Sequence, residues 1–257
     1  MTAERLSEPE IRRYARHIVL PEVGGTGQLR LRSARVLVIG AGGLGSPLLL
    51  YLVAAGIGRL GVVDHDAVDL SNLQRQVLFD TGAQGEPKAL VAVERLRRLN
   101  PHATVVAHEL RLDAGNAAAL IAAYDVVADG SDNLPTRLAV HDACRALRRP
   151  LVSASVQGLD GQLTTYKSYL GPPHPCLRCL FDDDLDTAAL PSCAQGGVLG
   201  PVAGVLGTLQ AVEVVKEITG IGASLSGRLL LYDAAATRLE ELAFGRRPGC
   251  SCGGPRA

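Results

Sequence analysis

The residues best suited to chemistry start at a glycine-rich turn that is followed by a carboxylate. Three glycines lie close together, at Gly40, Gly42 and Gly45, and Asp64 ends the next apolar run. Glycines at such a turn let the backbone approach a phosphate, and the helix that begins there offers free N–H groups to an anion. A carboxylate at the position of Asp64 can hydrogen-bond a ribose hydroxyl. The spacing predicts a nucleotide site, and it fits NAD or FAD as well as ATP.

Cysteines supply a second candidate site. Four of the six cysteines form two close pairs, Cys176 with Cys179 and Cys250 with Cys252. Four thiolates can hold one Zn²⁺ in a tetrahedron with Zn–S distances of ~2.3 Å. The second pair has a single intervening residue, which makes the geometry tighter, and the alternative is four free thiols. Cys193 stands apart from both pairs as a nucleophile, a redox partner or an incidental exposed thiol.

Further polar side chains follow the ends of predicted strands. The stretch 65–75 after Asp64 is polar and has no clear period. Asp132 and Asn133 lie just past the predicted strand 124–129, after Gly130 and Ser131. Loops at the carboxyl ends of strands hold ligands in open α/β sheets. Lys88 opens a helix, where a lysine is unfavourable for the helix dipole and is easier to understand beside an anion.

A parallel sheet is needed to bring these loops to one edge. Continuous apolar runs predict buried parallel strands at 36–39, 60–63, 104–107, 124–129 and 151–154. Helices are predicted at 46–55, 88–99, 116–123, 135–148 and 202–219. Alternation at 161–169 predicts an antiparallel addition, and 229–232 is the last strand expected. The sequence therefore predicts an α/β fold with a Rossmann-like, doubly wound, mostly parallel sheet and an antiparallel extension.

The N-terminal stretch is predicted to be a helical arm over 1–30. Residues 11–20 form a short basic amphipathic segment, and 21–27 is expected to be a turn-rich connector because it contains three glycines. Composition alone would place Arg12, Arg13 and Arg16 on a solvated face.

Bulk composition limits the classes of function. The 257 residues carry a formal net charge of zero and are 47% hydrophobic, which allows a large buried core. Charge balance argues against nucleic acid or an anionic membrane as an obligate partner. No apolar run approaches ~20 residues, so no transmembrane helix is expected. The N-terminus is polar and unlike a signal peptide, and the sparse cysteines fit a cytoplasmic protein.

Taken together, the motifs resemble those of the MoeB/ThiF family of adenylyltransferases, which are related to ubiquitin-activating enzymes. The resemblance spans nearly the whole chain and favours ATP over NAD. It rests on Arg13-Tyr-Ala-Arg16, the turn Gly40–Gly45, Asp64, Ser71-Asn-Leu-Gln-Arg75, Lys88, Ser131-Asp-Asn133, Pro175-Cys-Leu-Arg-Cys179, Ser192-Cys193 and Pro248-Gly-Cys250.

The resemblance implies that ATP and Mg²⁺ activate the C-terminal Gly-Gly of a small ubiquitin-fold sulfur carrier, similar to MoaD or ThiS. The carrier's carboxylate would attack the α-phosphate, giving an acyl-adenylate and pyrophosphate. Fixed cations and a metal stabilise the charge that develops in such a step. The chain is expected to be one domain over 1–257, with a nucleotide-binding part at 34–155 and a carrier-binding and zinc part at 156–257.

Roles for individual residues also come from the resemblance. Gly43 would lie against the nucleotide, Asp64 would hold the ribose, and Asp132 would bind Mg²⁺ beside Asn133. Asn72, Arg75 and Lys88 would contact the phosphates, and Ser71 would belong to the same nucleotide-binding set. Arg16 matches an arginine that a second subunit inserts into the site, which implies a homodimer, whereas Arg12 stays on the surface. The structural zinc site would consist of Cys176, Cys179, Cys250 and Cys252, and Cys193 would act in acyl or sulfur transfer.

Several questions stay open at this stage. The carrier decides whether the pathway is molybdopterin, thiamin, thiolated tRNA, cysteine or secondary-metabolite synthesis. No rhodanese-like domain follows the tail, so a separate sulfur donor is expected. Two other functions remain: an NAD-dependent oxidoreductase that uses the same glycine turn, although no clear hydride-site acid or base is present, and a zinc-dependent binding scaffold.

Overall fold

The computed structural model describes residues 5–180, 197–250 and 252 of the chain. Its strands belong to one mixed sheet. They are β1 Arg35–Ile39, β2 Arg59–Val63, β3 Thr104–His108, β4 Val126–Asp129, β5 Leu151–Gln157, β6 Asp160–Tyr166, β7 Arg228–Asp233 and β8 Arg238–Ala243. Their order across the sheet is β3-β2-β1-β4-β5-β6-β7-β8. The first five strands in this order, β3, β2, β1, β4 and β5, pair in parallel. The last three, β6, β7 and β8, pair antiparallel with their neighbours.

Helices cover both faces of this sheet. Those in the described residues are α1 Glu8–Arg13, α2 Ala15–Ile18, α3 Gly24–Ser33, α4 Gly45–Ala55, α5 Lys88–Leu99, α6 Ala117–Ile121, α7 Leu134–Ala146 and α8 Gly200–Thr219. The predicted doubly wound α/β fold class is confirmed. Strand order reverses between β1 and β4, and open α/β sheets bind ligands beyond the carboxyl ends of strands at such a reversal.

Strand β1, in the middle of the parallel part, contributes alternate side chains to two separate apolar layers. Val36 and Val38 pack in the layer with α3, α4, α5 and α8, whereas Leu37 and Ile39 pack in the layer with α6 and α7. Burial on both faces explains why the parallel strands read as continuous apolar runs. None of the helices in the described part of the chain has the length and apolar character needed to cross a bilayer.

The N-terminal helices pack against the C-terminal end of α4. Ser7 begins α1 with a capping box, because its side chain accepts the Glu10 N–H and the Glu10 carboxylate accepts the Ser7 N–H at 2.8 Å. The ring of Tyr14, just after α1, lies against Gly56 at the C-terminus of α4. Its hydroxyl accepts a hydrogen bond of 2.8 Å from Asn100 at the end of α5.

The connector predicted at 21–27 was wrong in its second half, because α3 already begins at Gly24. Glycine disfavours helix, but packing overrides that weak preference here. Leu31 is buried at 1% exposure, and the buried Gln28 donates a 2.8 Å hydrogen bond to the Ala55 carbonyl of α4.

The antiparallel extension has one strand more than predicted. β8 pairs with β7 in the register Asp233↔Arg238, and every residue of β8 is exposed. An exposed strand buries no face, so it leaves no hydrophobic pattern in the sequence. Arg228 of β7 donates to both carboxylate oxygens of Glu241 at 2.9 Å, which supports the pairing from the surface.

Candidate functional site

The glycine turn closes tightly between β1 and α4. Gly40 has a φ of +86°, which favours glycine, and its N–H donates to the Val63 carbonyl of β2 at 2.8 Å. A side chain at Gly45 would collide with the Gly40 carbonyl. Because glycine has no side chain, α4 can begin directly after the turn. At Gly43, a Cβ atom would lie 3.3 Å from the Cβ of Ala203 in α8.

Asp64 directly follows β2 and braces the turn. Its Oδ2 accepts the Ala41 N–H at 2.8 Å, and its Oδ1 accepts the Asp66 N–H at 2.9 Å. An ionised carboxylate has about four acceptor positions, so capacity remains for two further donors. The half-buried Asp64 can therefore bind ligand hydroxyls while it keeps the turn in place.

Ser71, Asn72 and Arg75 lie on a short 3₁₀ turn and the residues after it. Asp69 begins this turn by accepting the Ser71 N–H at 2.8 Å, and hydrogen bonds from the hydroxyl and backbone of Ser71 lower the pKa of Asp69. Arg75 donates to Asn72 Oδ1 at 2.6 Å and to the Ser71 carbonyl at 3.2 Å. The stem of Arg75 also reaches the glycine turn, since its Cγ would lie 3.4 Å from a Cβ at Gly43.

Lys88 is a buried cation at the start of α5. Its side chain is 4% exposed, and its Nζ donates to Asp66 Oδ2 at 3.0 Å. Asp66 is 56% exposed and neighbours Asp64, so Lys88 lies close to the end of β2. A buried ammonium with one solvated partner is a ready binding group for an anion.

The loop after β4 meets the glycine turn directly. The Gly130 N–H donates to the Ile39 carbonyl at 3.0 Å, and a Cβ atom at Gly130 would lie 3.2 Å from the Leu44 Cβ. Asp132 is exposed on this loop. Asn133 begins α7, because its Oδ1 accepts the Thr136 N–H at 3.0 Å. The structure thus brings every predicted nucleotide-site residue except Arg16 to the carboxyl edge of β1, β2 and β4.

Arg16 lies elsewhere. It is an exposed residue of α2, two positions after Tyr14, which contacts Gly56 at the C-terminus of α4. The glycine turn is at the opposite end of that helix, and the 11 residues of α4 span about 16 Å at ~1.5 Å per residue. Arg16 is therefore remote from the glycine turn of its own chain.

The four paired cysteines come together as predicted. The Sγ atoms of Cys176 and Cys179 are 3.7 Å apart, those of Cys176 and Cys250 are 3.5 Å apart, and those of Cys179 and Cys252 are 3.4 Å apart. Four thiolates around one Zn²⁺ at ~2.3 Å would be about 3.8 Å apart. This donor set fits zinc, and the short second pair reaches it.

The protonation of these cysteines differs from one thiol to the next. Burial raises the pKa of Cys176. It is also the main reason why the pKa of Cys252 is raised to about 11. Burial acts in the same direction on Cys250, but hydrogen bonds from the Cys252 backbone and the neighbouring thiols outweigh it and lower the pKa to about 7. Because thiolates are the form that binds metal, occupation of this cluster by a metal ion would release protons.

Helix α7 holds the first cysteine pair through the two residues between them. The Leu177 N–H donates to Nε2 of the buried His141 at 3.2 Å, and Arg178 donates to both carboxylate oxygens of Asp142 at 2.5 and 2.8 Å. Partial burial by itself would raise the pKa of Asp142, but the hydrogen bonds and charges of His141 and Arg178 outweigh it and lower that pKa. Sequence reasoning missed His141 and Asp142, which lie far from the cysteines along the chain.

Two cysteines are not among the paired four. Cys144 is buried at 2% exposure, where desolvation raises its pKa. Cys193 and the acidic stretch 182–186 lie outside the described residues.

Comparison with known proteins identifies relatives over nearly the whole chain. The ThiF family model matches residues 14–253. A sulfur carrier protein adenylyltransferase from Thermus thermophilus is 48% identical over 252 residues, covering 97% of this chain and 93% of that protein. Adenylyltransferase and sulfurtransferase MOCS3 from Bos taurus is 52% identical over 252 residues, covering 98% of this chain. The chain spans only 55% of the length of that second relative.

Solved structures with the same fold include E. coli MccB with succinimide. It aligns with a TM-score of 0.81 at 23% identity, covering 94% of this chain and 74% of that one. PaaA aligns with a TM-score of 0.78 at 23% identity, covering 96% and 77% of the two chains. At this level of identity the likeness concerns the fold alone.

Proposed function

Because this chain belongs to the ThiF family, we propose that it is an adenylyltransferase that activates a small ubiquitin-fold sulfur-carrier protein ending in Gly-Gly. The carrier's carboxylate attacks the α-phosphate of ATP, forming an acyl-adenylate and releasing pyrophosphate. A relative that is 48% identical is named for adenylylating a sulfur carrier protein. The curated relatives described above are adenylyltransferases by name, which gives the oxidoreductase alternative no support.

The observation that carries the proposal is the position of Arg75. Its guanidinium bonds only neutral oxygens among the described residues, those of Ser71, Gln74 and Asn72, while its stem lies on Gly43. A half-buried cation without a carboxylate partner, next to a glycine turn that opens a helix, is suited to a polyphosphate.

The remaining nucleotide contacts follow from the free bonding capacity of each side chain. Asp64 has acceptor positions left for ribose hydroxyls. Lys88 would exchange the exposed Asp66 carboxylate for a phosphate, which carries more charge. Ser71 and Asn72 offer a hydroxyl and an amide beside Arg75.

Asp132 is the proposed magnesium ligand. Its carboxylate is exposed beside the glycine turn, and no described residue hydrogen-bonds to it, so an oxygen ligand of the kind that Mg²⁺ prefers is free. When bound, the ion would neutralise charge that develops on the phosphates. Asn133 uses one acceptor position of its Oδ1 to begin α7, and its Nδ2 is available to the nucleotide.

Zinc is the proposed occupant of the four-cysteine cluster, since four thiolates at these separations favour it. When bound, it would cross-link the Cys-x-x-Cys segment to the tail. Cys193 remains our proposed acyl- or sulfur-transfer residue.

A homodimer explains Arg16 and an exposed apolar surface at once. Tyr51 of α4 is 57% exposed, and Val205 and Val212, two turns apart on α8, are 38% and 53% exposed. A second copy covering this surface would remove apolar area from water. It would also bring Arg16, which lies far from the glycine turn of its own chain, to the site of the other copy.

The test uses a candidate carrier that ends in Gly-Gly. The protein, ATP, Mg²⁺ and the carrier should yield an AMP adduct of the carrier by mass spectrometry, together with ATP–pyrophosphate exchange. A carrier that lacks the final glycine is the matched control and should yield neither. Absence of both signals with every Gly-Gly carrier encoded near the gene, using a folded dimer, would contradict the proposal.

A further inference from the structure

The loop that carries Asp132 rests on a buried carboxylate. Asp129, the last residue of β4, is 1% exposed, and its Oδ1 accepts the Ser131 N–H at 2.9 Å. Its Oδ2 is buried without a hydrogen-bond partner among the described residues. A buried oxygen without a hydrogen-bond partner destabilises the fold, so Asp129 is a poor choice for stability alone.

Arg137 holds the other side of the same residue. From α7 its Nε donates to the Ser131 carbonyl at 3.0 Å and its Nη2 donates to it at 2.8 Å. The same Nη2 also donates to the Ala154 carbonyl of β5. The N–H and the C=O of Ser131 are therefore both bound by side chains, and we call this arrangement of Asp129, Ser131 and Arg137 the Ser131 clamp.

The elements beneath the clamp are tied together as well. Gln210 of α8 is fully buried, and its Nε2 donates to the carbonyls of Asp129 and Val152 at 3.0 Å each. Asn133, on the other side of Asp132, is held by its bond to the Thr136 N–H. Asp132 is left as an exposed carboxylate between two anchored neighbours.

We propose that Asp129 and Arg137 are positioning residues that hold the Ser131 clamp so that Asp132 points its carboxylate at the cation of the bound nucleotide. This inference rests on the proposed function, which gives Asp132 its magnesium. Mg²⁺ accepts little deviation from octahedral geometry at ~2.0–2.1 Å, so a ligand on a loose loop binds it poorly. Loss of the groups that orient a metal ligand typically weakens metal binding by about 10–100-fold.

The experiment measures ATP binding by calorimetry over a range of Mg²⁺ concentrations, without any carrier. Arg137→Gln and Asp129→Ala should raise the Mg²⁺ concentration for half-maximal ATP binding by about 10–100-fold. ATP binding in EDTA should stay close to that of the wild type. Asp129→Asn keeps an oxygen that accepts the Ser131 N–H, so it should restore the wild-type Mg²⁺ dependence. The matched control is Arg97→Gln, which removes an α5 arginine bonded to the Val105 carbonyl of β3.

A double variant separates positioning from a merely structural role. In an Asp132→Asn background, Arg137→Gln should cause no further change in Mg²⁺ dependence, because the ligand that it orients is gone. Equal loss of ATP binding with and without Mg²⁺, or an additive loss in the double variant, would overturn the inference. An Asp129→Asn variant as impaired as Asp129→Ala would overturn it too.

Two safeguards keep the result decisive. If the stronger variants do not fold, Arg137→Lys retains the charge but loses the two-pronged bond, and an unchanged Mg²⁺ dependence in that folded variant would refute the clamp. Because no carrier is present, a wild type that binds ATP with Mg²⁺ through Asp132 but adenylates no carrier would contradict the proposed function and leave the clamp standing. A wild type whose ATP binding ignores Mg²⁺ would refute the clamp itself.

Discussion

At the scale of single residues, the candidate site contains cations whose charges are unevenly compensated. Lys88 has a carboxylate partner in Asp66, whereas Arg75 bonds only neutral oxygens in the described part of the chain. An uncompensated cation in a partly buried cleft attracts anions more strongly than an exposed pair does. Arg75 should therefore contribute more to binding a triphosphate than a cation that is already paired with a carboxylate.

Arg75→Ala should lower ATP–pyrophosphate exchange by on the order of 10²–10³, the typical effect of losing one charge-stabilising donor. Thermal stability should change little, because the lost bonds are near the surface. Arg98→Ala, which removes an exposed arginine paired with Glu94, is the matched control and should exchange at the wild-type rate. An Arg75→Ala rate within about threefold of the wild type would exclude a direct phosphate contact.

At the scale of elements, α8 approaches α4 closely enough to support the glycine turn. A Cβ atom at Gly207 would collide with the Leu44 carbonyl and lie 2.7 Å from Pro47, whereas at Gly204 it would meet no atom within 4 Å. One turn of the same helix thus contains a glycine required by packing and a glycine that packing does not require.

Gly207→Ala should destabilise the fold by roughly 1–3 kcal/mol, because α8 must move away from the start of α4. Gly204→Ala should stabilise it by about 0.5–1 kcal/mol through helix propensity. Chemical denaturation of both variants provides the measurement, each serving as the other's control. Equal effects of the two substitutions would show that the close approach of the helices does not matter.

Helix α7 connects two sites, since its first turn follows Asp132 and its later turns hold the cysteine cluster. His141 and Asp142 fix the backbone and side chain of the residues between Cys176 and Cys179. Groups that orient metal ligands in this way are as much a part of a metal site as the thiolates.

Removing these supports should make the metal easier to extract. His141→Phe and Asp142→Asn should lose zinc to a chelator about 10-fold faster or at lower chelator concentration, because the Cys-x-x-Cys segment is no longer held. Metal content after dialysis, measured by mass spectrometry, would report this. Asp125→Asn, which removes a partner of Arg35 distant in sequence from the cluster, should retain wild-type zinc. Wild-type retention in both α7 variants would contradict the argument.

At the scale of the whole molecule, Arg16 and the glycine turn lie at opposite ends of α4. No side chain is long enough to cover the ~16 Å of that helix, so in the proposed homodimer Arg16 would serve the site of the other copy. The apolar side chains exposed on α4 and α8 give such a copy a surface to bind.

Mixing two inactive variants tests this arrangement. Arg16→Ala and Asp132→Ala should each be inactive alone. Unfolded and refolded together in equal amounts, they should recover about a quarter of wild-type exchange, because half of the two-fold dimers contain one complete site. Arg12→Ala with Asp132→Ala is the control and should recover more, since Arg12 pairs with Glu8 on the surface. No recovery in the first mixture would mean that Arg16 is not used by a partner.

The sequence by itself determined the doubly wound parallel sheet and the residues at its carboxyl edge. Buried strands are apolar throughout, and ligand residues of parallel strands follow the strand ends, so both leave local signals. It also identified the four cysteines, since thiols close in sequence suffice to suggest a metal.

Only the tertiary structure decided the features that depend on contacts between distant residues. α3 is a helix despite its glycines because Gln28 and Leu31 pack on other elements, and β8 is a strand because β7 pairs with it. The Ser131 clamp likewise joins β4 to α7, so no pattern of residue spacing in the sequence indicates it. Propensity and periodicity act over a few residues, whereas these interactions form only when the sheet brings separate segments together.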